Sequence, residues 1–545
     1  MADDPRPWRS REELAGDSDV AAARRLEFGG GTLWQELGDL MHAPESRRDF
    51  LKLMGFSLSA AALAGCTRIP ERRAIPLVAQ PEELVPGVAE WYATTCAGCA
   101  AGCGLLAKVR DGRPIKIEGN DRSPLSGGST CAVGQATVLS LYDGGRLPQP
   151  LLRGRPASWP EVDAFVGERL AAIAARSGRV VLLTGTVHGT AQRALLADCL
   201  ARFPGARHVA YDSLSLAAIR FANERSFGLP VVPHYRFDHA RVIVGLEADF
   251  LGTWLSPVEF TRQYARGRRL APAHPLAMSR HVQIESGMTV TGSNADLRLA
   301  LRPSEMGSAA LALLAAVARR AGAEVPAAAG DAAASLPSLE AVAAELWKAR
   351  GDSLVVSGVN DVGVQVVVNR INSLLGNIGR TVDLDNPSLQ AQGDDRDFAE
   401  LIEAMDRGEI GALFVWGVNP AYDTPTAARF RAALEKVALT VSFADRADET
   451  AAHVDAVCPD HHFLEAWGDA EPVAGSLHLR QPAIAPLFAT RAAQKSLLRW
   501  MGKDGDWRAY LKEVWRRDVF PRQRARRDFD DFFGAPGKAW RFQRV

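Results

Sequence analysis

No apolar run in this sequence approaches the roughly 20 residues that a membrane-spanning helix needs. The longest, Leu53–Gly65, is too short, which excludes a multi-span membrane protein. Neither sign of charge is in excess, with 64 Lys and Arg against 64 Asp and Glu, so the chain offers no basic footprint for nucleic-acid phosphates. Cysteine is scarce, 7 in 545 residues, too few for a disulfide scaffold. No full Gly-x-Gly-x-x-Gly follows any strand-like run, which leaves a nicotinamide or flavin site little support. The composition, 47% hydrophobic and 23% charged, excludes global disorder and a collagen-like fold, and the length suits about three or four domains.

The few cysteines are unevenly placed. Cys66, Cys96, Cys99, Cys103 and Cys131 crowd together, while Cys199 and Cys458 stand alone. Cys199 falls in an amphipathic helical pattern and reads as a small buried hydrophobe; Cys458, before Pro459, is ambiguous.

A polar extension over residues 1–45 leads into 46–66, where Ser46-Arg47-Arg48-Asp49-Phe50-Leu51-Lys52 precedes the short apolar stretch. Paired arginines before a modest apolar region resemble a twin-arginine export signal, which carries proteins already folded. The stretch ends Leu63-Ala64-Gly65-Cys66, resembling a lipobox whose cysteine accepts a diacylglyceryl anchor. These residues predict export to the periplasmic side of the cytoplasmic membrane, with Arg47 and Arg48 as the signal and Cys66 as the lipidation candidate. A short core helix with an incidental cysteine is the alternative, and cleavage of the signal stays open.

After a Pro-rich connector over 67–90, the spacing Cys96-x2-Cys99-x3-Cys103 with a remote Cys131 begins the chemistry. Three thiolates from one tight loop and a fourth from elsewhere suit a 4Fe-4S cubane, each iron taking one sulfur. Ala97, Gly98, Ala100, Ala101 and Gly102 keep the loop small, so that its amides can approach inorganic sulfide. Four cysteines also make tetrahedral zinc sites, although those usually come as two C-x2-C knuckles, and reduced thiols are the third possibility. Between Cys103 and Cys131, alternating apolar residues around Asp111-Gly112 predict a β-hairpin.

This cluster motif, a hairpin ending Glu118-Gly119-Asn120, and a fourth cysteine before a helix resemble the molybdopterin oxidoreductases. In catalytic members a Lys or Arg two positions past the fourth cysteine helps pass electrons between cluster and pterin; Val133 occupies that place here. Three further strings, Gly287–Asp296, Leu375–Thr381 and His461–Asp469, look like the molybdopterin-oxidoreductase-like subunit of bacterial alternative complex III, a quinol-oxidising respiratory assembly. The resemblance, over about 46–500, implies an electron-transfer or structural subunit with one 4Fe-4S cluster on Cys96, Cys99, Cys103 and Cys131. It implies as partners a ferredoxin-like multi-cluster protein, a c-type cytochrome and a multi-span quinone-binding membrane subunit. The rival readings are a periplasmic molybdenum enzyme holding a molybdopterin dinucleotide and a cofactor-free scaffold.

The expected fold class is α/β: a small β-rich 4Fe-4S domain over 91–150, then parallel-sheet α/β domains over 151–500, with the C-terminal pterin-binding barrel missing. Strand-like runs at Val180–Leu183, Val242–Gly245, Leu354–Ser357 and Leu413–Trp416 alternate with helical patterns at Trp159–Ala175, Ala191–Phe203 and Pro425–Lys436. Several runs end in glycine, where ligands dock in such sheets, although most such glycines are only turns. The Ala-rich stretch 321–337 reads as a surface insertion. His462, Glu465 and Asp469, near His461, could share a metal or merely brace an interface. Ser213 and Ser215 fall near where the family places its molybdenum ligand. In the basic, aromatic extension 501–545, Trp515, Phe520, Phe529, Phe532 and Phe533 read as a docking surface for a partner protein or as a solvated amphipathic end.

Overall fold

The computed structural model describes residues 87–269, 278–503, 505–523, 528–534 and 540–541. The extension 1–45, the export-signal residues Arg47, Arg48 and Cys66, and the connector up to residue 86 lie outside the described residues.

The first elements are three antiparallel strands, β1 (Ala89–Thr95), β2 (Gly104–Arg110) and β3 (Arg113–Gly119). The hairpin expected at Asp111-Gly112 joins β2 to β3, with φ of 50° and 74° at the two turn residues. A two-residue turn with both residues left-handed matches the twist of the strands. Alternation then turns Leu105, Ala107, Val109 and Ile117 to one face, where Leu141 of helix α1 (Ala132–Leu141) and Leu464 and Ala483 cover them. The small domain therefore has no closed core of its own: it is completed by residues more than three hundred positions later.

A seven-stranded sheet runs in the order Arg155–Pro156, Leu151–Leu152, Ala456–Val457, Leu439–Ser442, Ile410–Trp416, Arg179–Thr184, Arg207–Ala210. Its five main strands are parallel. Val180, Leu182, Ala412 and Phe414 face one hydrophobic cluster while Val181, Leu183, Leu413 and Val415 face another. Burial on both faces explains why these strands read as unbroken apolar runs, and each fully buried Val or Leu contributes roughly 1.5–3 kcal/mol. Helix Trp159–Ala175 starts where the runs predicted it, at a Ser158 capping box in which Ser158 N donates to Glu161 Oε2 at 2.7 Å.

A second parallel sheet has the order Leu297–Ala300, Arg280–Glu285, Val242–Leu246, Ser353–Ser357. The Ala-rich stretch beside it lies mostly at the surface, as expected, but it is not irregular: Ala327–Ser335 is helical and its Ala329 is fully buried. Alanine is the best helix former and small enough to sit against the neighbouring helix Met306–Ala321.

The sequence pattern does not announce the third large sheet, which is antiparallel: Trp540–Arg541, Ser476–Arg480, Gly468–Val473, Val382–Ser388, Val232–Tyr235. Proline and acidic residues within two of its strands, such as Asp469, Glu471 and Pro472, hide the usual alternation. The tail also departs from the docking reading. Trp515, Phe529, Phe532 and Phe533 are buried in the main hydrophobic cluster, with Phe533 stacked on Trp467 at 6.1 Å, so these rings fill this chain's own core. Among the described residues no helix is long and apolar enough to cross a membrane.

Candidate functional site

β1 runs directly into Cys96, and the loop returns at Cys103 just before β2. Cys96 N donates to Cys103 O at 2.8 Å, which closes the loop, and Gly102 adopts φ 57° inside it. The small residues act as expected: Gly98 N points at Cys96 Sγ, 3.4 Å away. Cys131 arrives by a different route, as the N-cap of α1, where its Sγ accepts from Gly134 N at 3.3 Å. A helix N-terminus carries partial positive charge and steadies a thiolate. Cys103 is buried, Cys96 and Cys131 are half-buried, and Cys99 is exposed.

Burial pushes the Cys96 thiol up to about 11 against the lowering effect of the Gly98 amide, and Cys99 and Cys131 raise it further by repulsion. Burial raises Cys99 and Cys103 likewise; Cys131 repels Cys99, and all three other cysteines repel Cys103. Cys96, Cys99 and Cys103 therefore share an electrostatic neighbourhood in which their bare thiolates are disfavoured, and a cation must compensate them. Among the described residues no three His, Cys, Asp or Glu side chains converge as on a single metal ion. Cys199 and Cys458 are not brought to the other cysteines: both are buried in the main core, and burial pushes each up to about 12.

Beside the cysteine loop opens a cavity of about 1550 Å³, lined by Cys96, Cys99 and the turns after the parallel strands, including Gly185, Gly358 and Gly417. The glycine-ended strands thus converge on one space, at the carboxyl edge where ligands dock in α/β sheets. Ser213 and Ser215 line the same cavity, but Ser215 Oγ donates to Asp395 Oδ2 at 2.7 Å. Val133 is 64% exposed and is not among the cavity-lining residues.

His462, Glu465 and Asp469 are not presented to a common ion. Arg146 occupies the Glu465 carboxylate from two sides, Nη1 at 3.1 Å and Nη2 at 2.7 Å, and Glu465 also accepts from the amides of His462 and Leu487. His462 Nε2 meets Ser140 Oγ on α1 at 3.0 Å. Asp469 Oδ2 accepts from Ala191 N at 2.7 Å and Trp515 Nε1 at 3.0 Å. His461 Nδ1 meets Thr490 Oγ1 at 2.7 Å. Glu465 and His462 brace the cluster domain against the α/β core, while Asp469 and His461 bond within the rest of the chain, which is the interface alternative for these residues.

Sequence reasoning missed three residues at this cavity. Asp212 accepts from Thr186 N and Oγ1 and from the amides of Gln392 and Gly393, tying three loops together. Asp460 accepts from Trp416 Nε1 and Ala493 N, both at 2.9 Å, and burial pushes its carboxyl up to about 6. Arg480, on the antiparallel sheet, faces Cys96 across the wall. None has a local sequence signal, because each works through partners remote in the chain.

Residues 89–143 match the molybdopterin oxidoreductase Fe4S4 domain family, which supports a 4Fe-4S cluster at the four cysteines. The chain is 27% identical over 514 residues to the menaquinone reductase, molybdopterin-binding-like subunit, of Nitratidesulfovibrio vulgaris, covering 84% of this chain and 72% of that protein. It is 30% identical over 232 residues to the nitrate reductase of Klebsiella oxytoca, covering 41% of this chain and 26% of that one. Among solved structures, acetylene hydratase from Pelobacter acetylenicus superposes with a TM-score of 0.57 at 13% identity, over 76% of this chain and 69% of its own. That likeness establishes the shared fold.

Proposed function

The chain belongs to the molybdopterin oxidoreductase (DMSO reductase) superfamily, and from that premise we propose that it is an electron-transfer and structural subunit of a membrane-associated, quinol-oxidising respiratory complex of the alternative complex III type. The observation that carries the reading is the gathering of Cys96, Cys99, Cys103 and Cys131 around one loop, in a domain closed by residues of the α/β core. A cluster held there supplies single-electron transfer. The chain's own residues do the rest: the 96–103 loop and the α1 N-cap hold four thiolates, and the Arg146–Glu465 pair fixes that domain on its support. A single-electron carrier does not by itself activate a substrate, so turnover belongs to partners. A ferredoxin-like multi-cluster protein, a multi-span quinone-binding protein and a c-type cytochrome are the partners proposed. Arg47 and Arg48 direct export in this reading, and Cys66 anchors the chain at the periplasmic face.

A second reading has a specific basis. The relative with the longest match here carries the name of a menaquinone reductase subunit, which favours a quinone-linked complex running toward quinone reduction. Native purification from membranes tests both. The proposal expects the chain to leave the membrane in a complex with those partners, without bound pterin, and quinol or quinone kinetics set the direction. A chain isolated alone with stoichiometric molybdenum, a pterin dinucleotide and reductase activity would overturn it in favour of the molybdenum enzyme.

A further inference from the structure

Three side-chain hydrogen bonds clip strand Ser476–Arg480 to the end of β1. Thr94 Oγ1 donates to Gln481 O at 2.9 Å, Thr95 Oγ1 to Leu479 O at 3.0 Å, and Gln481 Nε2 to Ala93 O at 2.9 Å. These contacts bracket Arg480 and lie immediately before Cys96, and the two residues line the same cavity. The guanidinium lies across its paired strand, where a Cβ on Gly468 would overlap Arg480 Nη2. The position is thus built on both sides to hold this long side chain.

Arg480 Nε is fully enclosed and has no hydrogen-bond partner. Among the described residues no carboxylate stands within ion-pair distance of it. The groups that feel its charge are Cys96, His188, Asp460, His462 and Asp469. The two acids among them commit oxygens elsewhere: Asp460 to Trp416, Ala493 and His461, and Asp469 Oδ2 to Ala191 and Trp515. Arg480 is half-buried on the cavity wall and has no paired anion there. Besides Asp460 and Asp469, neither of which stands within ion-pair distance, the anionic body the chain's chemistry can supply there is the set of four cysteine thiolates with its cluster.

We infer that Arg480 is the counterion of the cluster, a fixed cation on the cavity side that holds the cluster's reduction potential up. This rests on the reading of Cys96, Cys99, Cys103 and Cys131 as cluster ligands. It also locates the positive charge that the segment after Cys131 does not supply, since Val133 stands exposed outside the cavity. Reduction adds one electron, no bond forms or breaks and no proton moves, and the cluster with its thiolates becomes one charge more negative. A nearby fixed positive charge stabilises the more negative state.

The test is a redox titration of the full chain, prepared without oxygen and followed by the paramagnetic signal of the reduced cluster, with dithionite as reductant. Arg480→Gln removes the charge. Arg480→Met does the same with an apolar side chain, and burying an apolar group in place of an ion often costs no stability. With the full complement of iron, both are expected to shift the reduction equilibrium at least tenfold toward the oxidised form, 59 mV for a one-electron couple, while Arg480→Lys stays near wild type. An unchanged midpoint in either neutral variant with its iron intact overturns the inference. Iron lost from both neutral variants but kept in Arg480→Lys supports a required charge, and iron lost from all three assigns Arg480 to the fold and overturns it. Absence of iron from the wild-type chain would instead remove the underlying cluster reading, an outcome distinct from all of these.

Discussion

Glu465 and Arg146 form a bidentate pair with both side chains out of contact with water. Burial pushes the Glu465 carboxyl up, but the Arg146 guanidinium and the amides of Leu487 and His462 outweigh it and hold the carboxyl below its usual range. Removing one partner leaves a buried charge unanswered, so Arg146→Ala or Glu465→Ala is expected to destabilise the protein by about 3–5 kcal/mol. The double change Arg146→Met with Glu465→Leu should recover much of that loss. Denaturant unfolding of the four proteins checks it, and a single variant as stable as wild type would contradict the bracing role. At this scale the sequence is legible where chemistry is local: four cysteines in a recognisable spacing, and a His-x-x-Glu string for which bracing is one of two readings. It is silent on Arg146 and Arg480, whose partners lie hundreds of positions away.

At the scale of elements, the cluster loop depends on a turn that contains none of its ligands. β3 ends at Gly119, where a Cβ would overlap the backbone of Gly128 and Ser129. That close approach, together with Gly128 N donating to Asn120 O at 2.9 Å, folds residues 120–130 back so that Cys131 reaches the other three. Gly119→Ala should therefore cost about 1–3 kcal/mol by overpacking and lower the iron bound per chain although every cysteine is present. Iron analysis of the folded variant decides this; full iron occupancy would show that the turn has slack. The parallel strands and the Asp111-Gly112 hairpin are readable because burial on both faces and a two-residue turn leave strong local patterns. The antiparallel sheet with Asp469, Glu471 and Pro472 is not, because its polar groups are satisfied only in three dimensions. Nor can a sequence distinguish aromatic rings that dock a partner from rings that dock the chain itself, and Trp515 and Phe533 do the latter.

For the molecule as a whole, acidity is the lever. Burial holds His188, His281, His462 and His478 each down to about 4, whereas in an unfolded chain they take protons near 6.5. Between those values the unfolded state binds more protons than the folded one, so this contribution is complete above about pH 6.5 and is lost as pH falls toward 4. Burial raises Asp460 to about 6 and also raises Asp423, Asp448 and Asp469, which act in the opposite sense, but it lowers His208 and His461 as well, so six histidines stand against four carboxyls. Two of the four histidines held down to about 4, His188 and His462, line the cavity beside the cysteine loop. The melting temperature is expected to fall from pH 7 to pH 5, with cluster absorbance bleaching in step. A melting temperature that is flat or rising across that range would contradict the assignment of these histidines as neutral in the folded protein.

What the four cysteines hold decides the function of the chain. Metal and acid-labile sulfide analysis of the full chain, purified without oxygen, should find about four iron and about four sulfide per chain, with a paramagnetic signal on reduction that is lost or altered in Cys96→Ala. Stoichiometric zinc, or folded protein without iron, would contradict it.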